Sequence, residues 1–282
     1  MSILVELPLA LYDVTAFDAF RPVADFDRGT ARAMAWMSQL AYETRHPDKI
    51  AAVCNLWGLR HPHIIASPAT AALPIVHTRA IIVEGRGATI VAFAGTDPLV
   101  PANWLTDFAI EVTPDNVHRG FDAAARSVAD EVGRVLMARS EQPVMLTGHS
   151  LGAALAVVTA DRALSGLNIR ASGVYAFGMP RAGDEEFARR YNEALGAATF
   201  RVVHGDDIVA AVPPSRLGFR HVGRLIRCPR GGTLALDVAP AQDFGDDPPF
   251  APALASGLRQ GFRDLLAPVS YTHLTLPTNR EV

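Results

Sequence analysis

Cysteine is scarce in this chain: Cys54 and Cys228 are the only two among 282 residues. Two thiols build neither a disulfide framework nor a metal set, so the fold has to rest on a packed core. Buried free thiols are the simplest expectation, and sequence alone leaves a single bridge between them open. Lysine is scarcer still, and arginine supplies nearly all of the 26 basic residues. There is no basic cluster and no aromatic residue interleaved with one. With a net charge of only −3, that excludes an ordinary nucleic-acid binder. No apolar run reaches the roughly 18 residues that a membrane-spanning helix needs. The opening Met1–Leu7 lacks a basic region and is interrupted by Glu6. It makes a poor signal peptide, and the default expectation is a cytoplasmic protein.

What is present is apolar. Hydrophobic residues make up 49% and charged residues 20%, the balance of a folded globule. Residues 1–25 are apolar but irregular and read as an extended arm. From Asp27 to Tyr42 apolar side chains recur at helical spacing (Ala31, Met34, Ala35, Met37, Leu40, Ala41), with Asp27 as N-cap. A second helix is expected over 47–56. His61-Pro62-His63 reads as a turn rather than half a metal site, because no third ligand lies nearby. Residues 79–84 and 88–94 read as a hairpin joined by Gly85-Arg86-Gly87. A long helix is expected over 118–139, strands over 143–146, 173–177 and 200–204, and helices over 151–164 and 184–194. Beyond residue 230, an edge strand over 234–238 and a last helix over 253–266 are expected. Short strands alternating with helices predict an α/β fold with a mostly parallel central sheet flanked by helices.

The stretch Met145-Leu146-Thr147-Gly148-His149-Ser150-Leu151-Gly152-Ala153-Ala154 is the chemical centre of the sequence. A strand enters it, a small-residue helix leaves it, and Gly-His-Ser-Leu-Gly between them fits the Gly-x-Ser-x-Gly nucleophile elbow. Gly148 and Gly152 leave room where strand and helix cross. Ser150 sits at the strained apex with its hydroxyl exposed. The N–H of Leu151 points into the site from a helix N-terminus, where negative charge is favoured. A serine hydroxyl is a weak nucleophile, so it needs a histidine and an orienting carboxylate. In an α/β-hydrolase the acid follows a later strand. Asp207 stands there, though position alone does not separate it from a solvated turn aspartate. His149 is expected to point away from the nucleophile and to pack. His118 is expected to be structural at the start of its helix.

Six segments between about residues 91 and 214 then resemble the class 3 lipases, the family of fungal triacylglycerol lipases and their bacterial relatives. They are Val91–Asp97 (with Ala94 where the family carries arginine), Asn103–Asp107, Val117–Phe121, the Gly148–Gly152 elbow, Phe177–Gly183, and Asp207 to Pro214. The resemblance implies an α/β-hydrolase-type fold and identifies Asp207, not Asp206, as the triad acid. It also implies that Thr96 joins the Leu151 N–H in an oxyanion hole, and that residues 98–104 occupy the lid position. The activity implied is hydrolysis of lipid acyl esters through a Ser-His-Asp triad and an acyl-enzyme. The partner implied is a lipid or ester substrate, met in transient contact with a lipid interface, and no metal or organic cofactor is required.

The third triad member is the weak point. His221 matches a histidine that family members carry in addition to the catalytic one, which lies further on. The only later candidate is His273, within residues 269–282. That segment replaces the preceding Ala, Arg, Asp and Gly with Thr and Leu and reads as a translated sequencing-adapter end. The expectation is therefore one α/β-hydrolase domain over 1–268 followed by a non-native tail, with His273 standing in for a native histidine. The competing reading is a catalytically inactive, lipase-like scaffold that binds lipid or a partner.

Overall fold

The computed structural model describes residues 6–67, 77–95, 111–139, 141–204 and 207–228, with Ile208 described through its backbone alone. Thr96, the lid-position residues 98–104, the Asn103–Asp107 motif, the expected elements over 234–238 and 253–266, and His273 with its tail lie outside these residues.

The sheet has seven strands: β1 (Leu59–Ser67), β2 (Thr78–Gly85), β3 (Ala88–Phe93), β4 (Val144–His149), β5 (Ala171–Phe177), β7 (Thr199–His204) and β9 (Arg224–Cys228), adjacent in that order. The run from β3 to β9 is parallel, and β1 and β2 are added antiparallel at one edge. Two short segments, β6 (Gly183–Asp184) and β8 (Phe219–Arg220), pair separately and antiparallel. β3 and β4 are buried at every residue, as expected of strands covered on both faces.

Helix α1 (Arg28–Leu40) packs across β4 and β5, and α2 (Pro47–Trp57) covers β1. Asp27 caps α1, its carboxylate accepting from the Thr30 N–H at 2.8 Å. The hydroxyl of Thr147, on β4, donates to the Tyr175 carbonyl at 2.8 Å and lies 2.9 Å from the Ser38 hydroxyl of α1. This buried polar link holds α1 against the strand that carries the elbow. The arm of residues 6–26 extends the same layer, with Tyr12 and Phe17 against Trp57.

On the other face lie α3 (Arg119–Met137), α4 (Leu151–Leu167) and α5 (Glu185–Leu195). In α3, Phe121, Ala124, Ala125, Val128, Val132 and Leu136 form the buried stripe of a 3.6-residue period. In α4, every residue from Leu151 to Ala160 is buried, because this helix lies between the sheet and α3. Asp122 ties α3 to α4 by accepting from Arg126 and Arg162.

Two expectations need correction. His61-Pro62-His63 is not a turn: it lies within β1, at a register shift between Arg60 and His63. The bulge absorbs Pro62, which has no N–H to give to a ladder. The two histidines also part company, His63 lying 2.7 Å from Glu131 and His61 beside Glu84. β9, which follows β8 and closes the parallel run, was not expected at all. Its five residues, Arg-Leu-Ile-Arg-Cys, are too few for a periodic signal.

Asp184 caps α5 by accepting from the N–H groups of Glu186 and Phe187, both at 3.0 Å. Asp184→Ala is expected to lower unfolding stability by about 1 kcal/mol, and Asp184→Asn by little. Urea denaturation checks this as a shift in midpoint at unchanged slope.

Candidate active site

β4 turns into α4 at Ser150, whose φ of +57° and ψ of −126° place a non-glycine residue in sparsely populated backbone space. Such strain costs on the order of 1–3 kcal/mol and persists only where the surroundings enforce it. Here the surroundings are backbone. A Cβ on Gly148 would sit 2.2 Å from the carbonyl of Gly152, and one on Gly152 would sit 2.3 Å from the Phe93 carbonyl oxygen. The Ser150 N–H donates to the Phe177 carbonyl at 2.9 Å, fixing the apex to β5. Leu151 opens α4 and is fully buried, so its N–H has no carbonyl one turn back to bond. The half-buried Ser150 side chain therefore stands beside a helix N-terminus suited to developing negative charge.

Asp207 follows β7 and caps a short 3-10 turn, Ile208–Ala211, with Oδ1 accepting from the Val209 N–H at 3.1 Å. It is 7% exposed. Burial pushes its carboxyl above the ordinary value, and the Val209 N–H and the charge of His204 oppose that rise. Its other oxygen abuts Gly178. A Cβ on Gly178, at a φ of +56°, would stand 2.7 Å from Oδ2 and 3.8 Å from Nε2 of His149. The carboxylate thus lies across a glycine from the residue preceding Ser150. Gly178 lies in the Phe177–Gly183 segment that carries the family resemblance, but its place against the Asp207 carboxylate is set by tertiary structure.

His149 packs, as expected. Its ring centroid is 6.3 Å from that of Tyr42, and the Tyr42 hydroxyl is 3.1 Å from Nδ1. Burial pushes its pKa down to about 4, so it is neutral at pH 7. His118 is structural as expected: its Nδ1 accepts from the Gly120 N–H at 3.2 Å, and its ring lies against Phe121 and Phe219. Cys54 and Cys228 are free thiols. One group among the described residues, Glu6, Glu43 and His46, brings metal-ligating atoms within 4.8 Å of one another. The Glu43 carboxylate there is already matched by the Leu7 N–H, the Tyr12 hydroxyl and the Lys49 ammonium.

The family described as lipase (class 3) matches residues 90–217, which span the elbow, Gly178 and Asp207. A secreted mono- and diacylglycerol lipase of Fusarium solani is 37% identical over 133 residues, covering 42% of this chain and 38% of its own. The secreted mono- and diacylglycerol lipase LIP4 of Malassezia restricta is 29% identical over 240 residues, covering 78% of this chain and 77% of its own. Among solved structures, a triacylglycerol lipase whose catalytic centre is a serine-protease triad superposes with a TM-score of 0.58 at 25% identity. That match covers 70% of this chain and 78% of the other.

Two outcomes are expected from this geometry. Gly152→Ala forces backbone apart and destabilises by about 2–3 kcal/mol. Gly166→Ala, on the same helix but facing open space, stabilises by about 0.5–1 kcal/mol. Thermal melts of the two variants measure the contrast. The second outcome concerns acid. His149 takes up a proton near pH 6.5 when unfolded but only near pH 4 when folded. Protons therefore favour the unfolded chain across that window, and stability falls as pH drops through it. The contribution of this residue is about 3 kcal/mol. His149→Asn should flatten the stability profile between pH 6.5 and 4, measured by urea titrations at stepped pH.

Proposed function

From the match of residues 90–217 to the class 3 lipases and the likeness to a secreted mono- and diacylglycerol lipase over 78% of the chain, we propose that the chain belongs to that family and is a serine carboxylic-ester hydrolase acting on lipid acyl esters. The observation that carries the proposal is Ser150, held at a φ of +57° between a buried strand and a helix N-terminus. A surface serine has no reason to bear such strain, whereas a nucleophile that must stand clear of both backbones does.

In this reading the Ser150 hydroxyl attacks the ester carbonyl carbon while a histidine takes its proton. The carbonyl oxygen becomes an oxyanion held by the Leu151 N–H and by Thr96. The tetrahedral intermediate collapses, the histidine protonates the departing alcohol, and an acyl-enzyme remains. Water, deprotonated by the same histidine, then releases the fatty acid and restores the serine. Asp207 orients the histidine and stabilises its cationic form. In the chain as given that role falls to His273, standing in for a native histidine. The chemistry runs on side chains and backbone N–H groups, so no metal or organic cofactor enters it. Mono-, di- and triacylglycerols and phospholipids all present the required ester. Contact with a lipid surface would be transient, and no helix among the described residues is long and apolar enough to cross a membrane.

A fluorophosphonate probe tests the proposal. Ser150 should be labelled in the full chain and Ser150→Ala should stay unlabelled. Asp207→Asn should lower kcat about 10⁴-fold while leaving the protein folded. Loss of labelling in His273→Ala assigns the base to that residue, and unchanged labelling assigns it elsewhere. A wild-type chain that does not label, though folded, is a scaffold and not a hydrolase.

A further inference from the structure

The segment that carries Asp207 lies beyond the end of β7, where no sheet ladder holds it. Its own bonds are few: Ala210 N–H to the Asp207 carbonyl at 3.2 Å and Val212 N–H to the Val209 carbonyl at 3.3 Å. Four consecutive carbonyls, those of residues 210–213, nevertheless all find donors, and only two residues provide them. Nε2 of His221 donates to Ala210 at 2.7 Å. Nη1 of Arg181 donates to Ala211 at 2.7 Å and to Pro213 at 2.8 Å. The backbone N–H of Arg181 donates to Val212 at 2.8 Å.

Both residues are buried, Arg181 completely. Water is therefore a poor substitute for either, and a carbonyl deprived of its donor would force the loop to move. The bond also sets the His221 tautomer. A carbonyl can only accept, so Nε2 carries the proton and Nδ1 is bare. Burial, with Arg201 and Arg181 beside the ring, keeps His221 neutral. With its donor nitrogen committed to Ala210 and its other nitrogen buried, His221 is in no position to relay protons for Ser150. Its Nδ1 has no hydrogen-bond partner among the described residues.

The two donors are themselves coupled. Arg181 lies two residues before β6 and His221 one residue after β8, and β6 pairs with β8 through Gly183–Arg220 and Asp184–Phe219. Arg181 also shares the segment Gly178–Gly183 with the glycine that abuts the Asp207 carboxylate. One short segment therefore meets the carboxylate with its glycine and anchors the following backbone with its arginine.

We propose that Arg181 and His221 are positioning residues for Asp207, clamping the carbonyls of 210–213 so that the carboxylate is held at the height the triad needs. This rests on the reading of Asp207 as the triad acid. A misplacement of about 1 Å in such a group costs on the order of a hundredfold in rate. The clamp acts through the loop and touches no substrate.

The experiment compares His221→Leu, which removes the donor, with His221→Gln, which restores an N–H at nearly the same reach. Three readouts are taken on the full chain: fluorophosphonate labelling rate per folded molecule, kcat and KM on a p-nitrophenyl ester, and amide hydrogen exchange by segment. The expected result for His221→Leu is a fall of about tenfold to a hundredfold in labelling rate and kcat, with KM little changed. Exchange should rise over residues 207–213 and not in the sheet. His221→Gln should recover most of the rate even if its melting temperature stays as low as that of the Leu variant. Labelling at the wild-type rate in folded His221→Leu overturns the proposal, as does a Gln variant that is stable but no faster. A wild-type chain that leaves Ser150 unlabelled overturns the hydrolase reading instead. In that event, unchanged exchange over 207–213 in His221→Leu overturns the clamp separately.

Discussion

The contact on which the structure depends is the crossing of β4 and α4, where backbone meets backbone with no side chain between. At Gly148 and Gly152 there is no space for even a methyl group. That closeness forces Ser150 into its strained conformation, since the chain must reverse within one residue. Its neighbours hold the crossing in place. The end of β3 presses on Gly152, and the Phe177 carbonyl of β5 takes the Ser150 N–H. The buried Thr147–Ser38 contact fixes β4 to α1 from the opposite face. Parallel strands buried on both sides have few ways to yield, so the strain is retained rather than relaxed.

A second theme is the burial of polar groups near the elbow, and it works in two directions. Asp207 is buried beside Gly178, at a cost to its ionised form. Arg181 and His221 are buried as well, but as donors to a run of carbonyls that would otherwise be unsatisfied. The first arrangement stores unfavourable energy in a group proposed to do chemistry. The second holds the loop that bears it. A buried aspartate proposed to work in its charged form needs rigid support, because flexibility would let it swing toward water.

On the far face, the arm and α2 are organised around Glu43. This fully buried carboxylate accepts from the Leu7 N–H, the Tyr12 hydroxyl and Lys49. Burial pushes the Tyr12 hydroxyl pKa far up, and the Glu43 charge reinforces the shift, so the phenol remains a donor. Lys49 is the only lysine in the sequence, and here it pairs with this buried carboxylate. The network ties residue 7 to residues 43 and 49, and so fastens the arm where Tyr12 and Phe17 meet Trp36 and Trp57.

The sequence by itself determined what depends on near neighbours. The helical stripes of α1 and α3, the caps at Asp27 and Asp184, the hairpin glycines and the elbow were all legible, because each is set by spacing along one stretch of chain. The strand at His61-Pro62-His63 was hidden because its residues favour a turn, and only pairing with β2, through a bulge, overrides that preference. β9 was hidden because five residues become a strand only when β7 offers an edge. At the candidate site, Ser150 and the Leu151 N–H were readable from the elbow alone. Asp207 was readable as a position but not as an environment. Its burial, the glycine against its carboxylate, and the arginine and histidine that hold its loop come from segments up to 29 residues before it and 14 after it. Tertiary structure alone decided these, because a hydrogen bond between distant segments leaves no periodicity in either one.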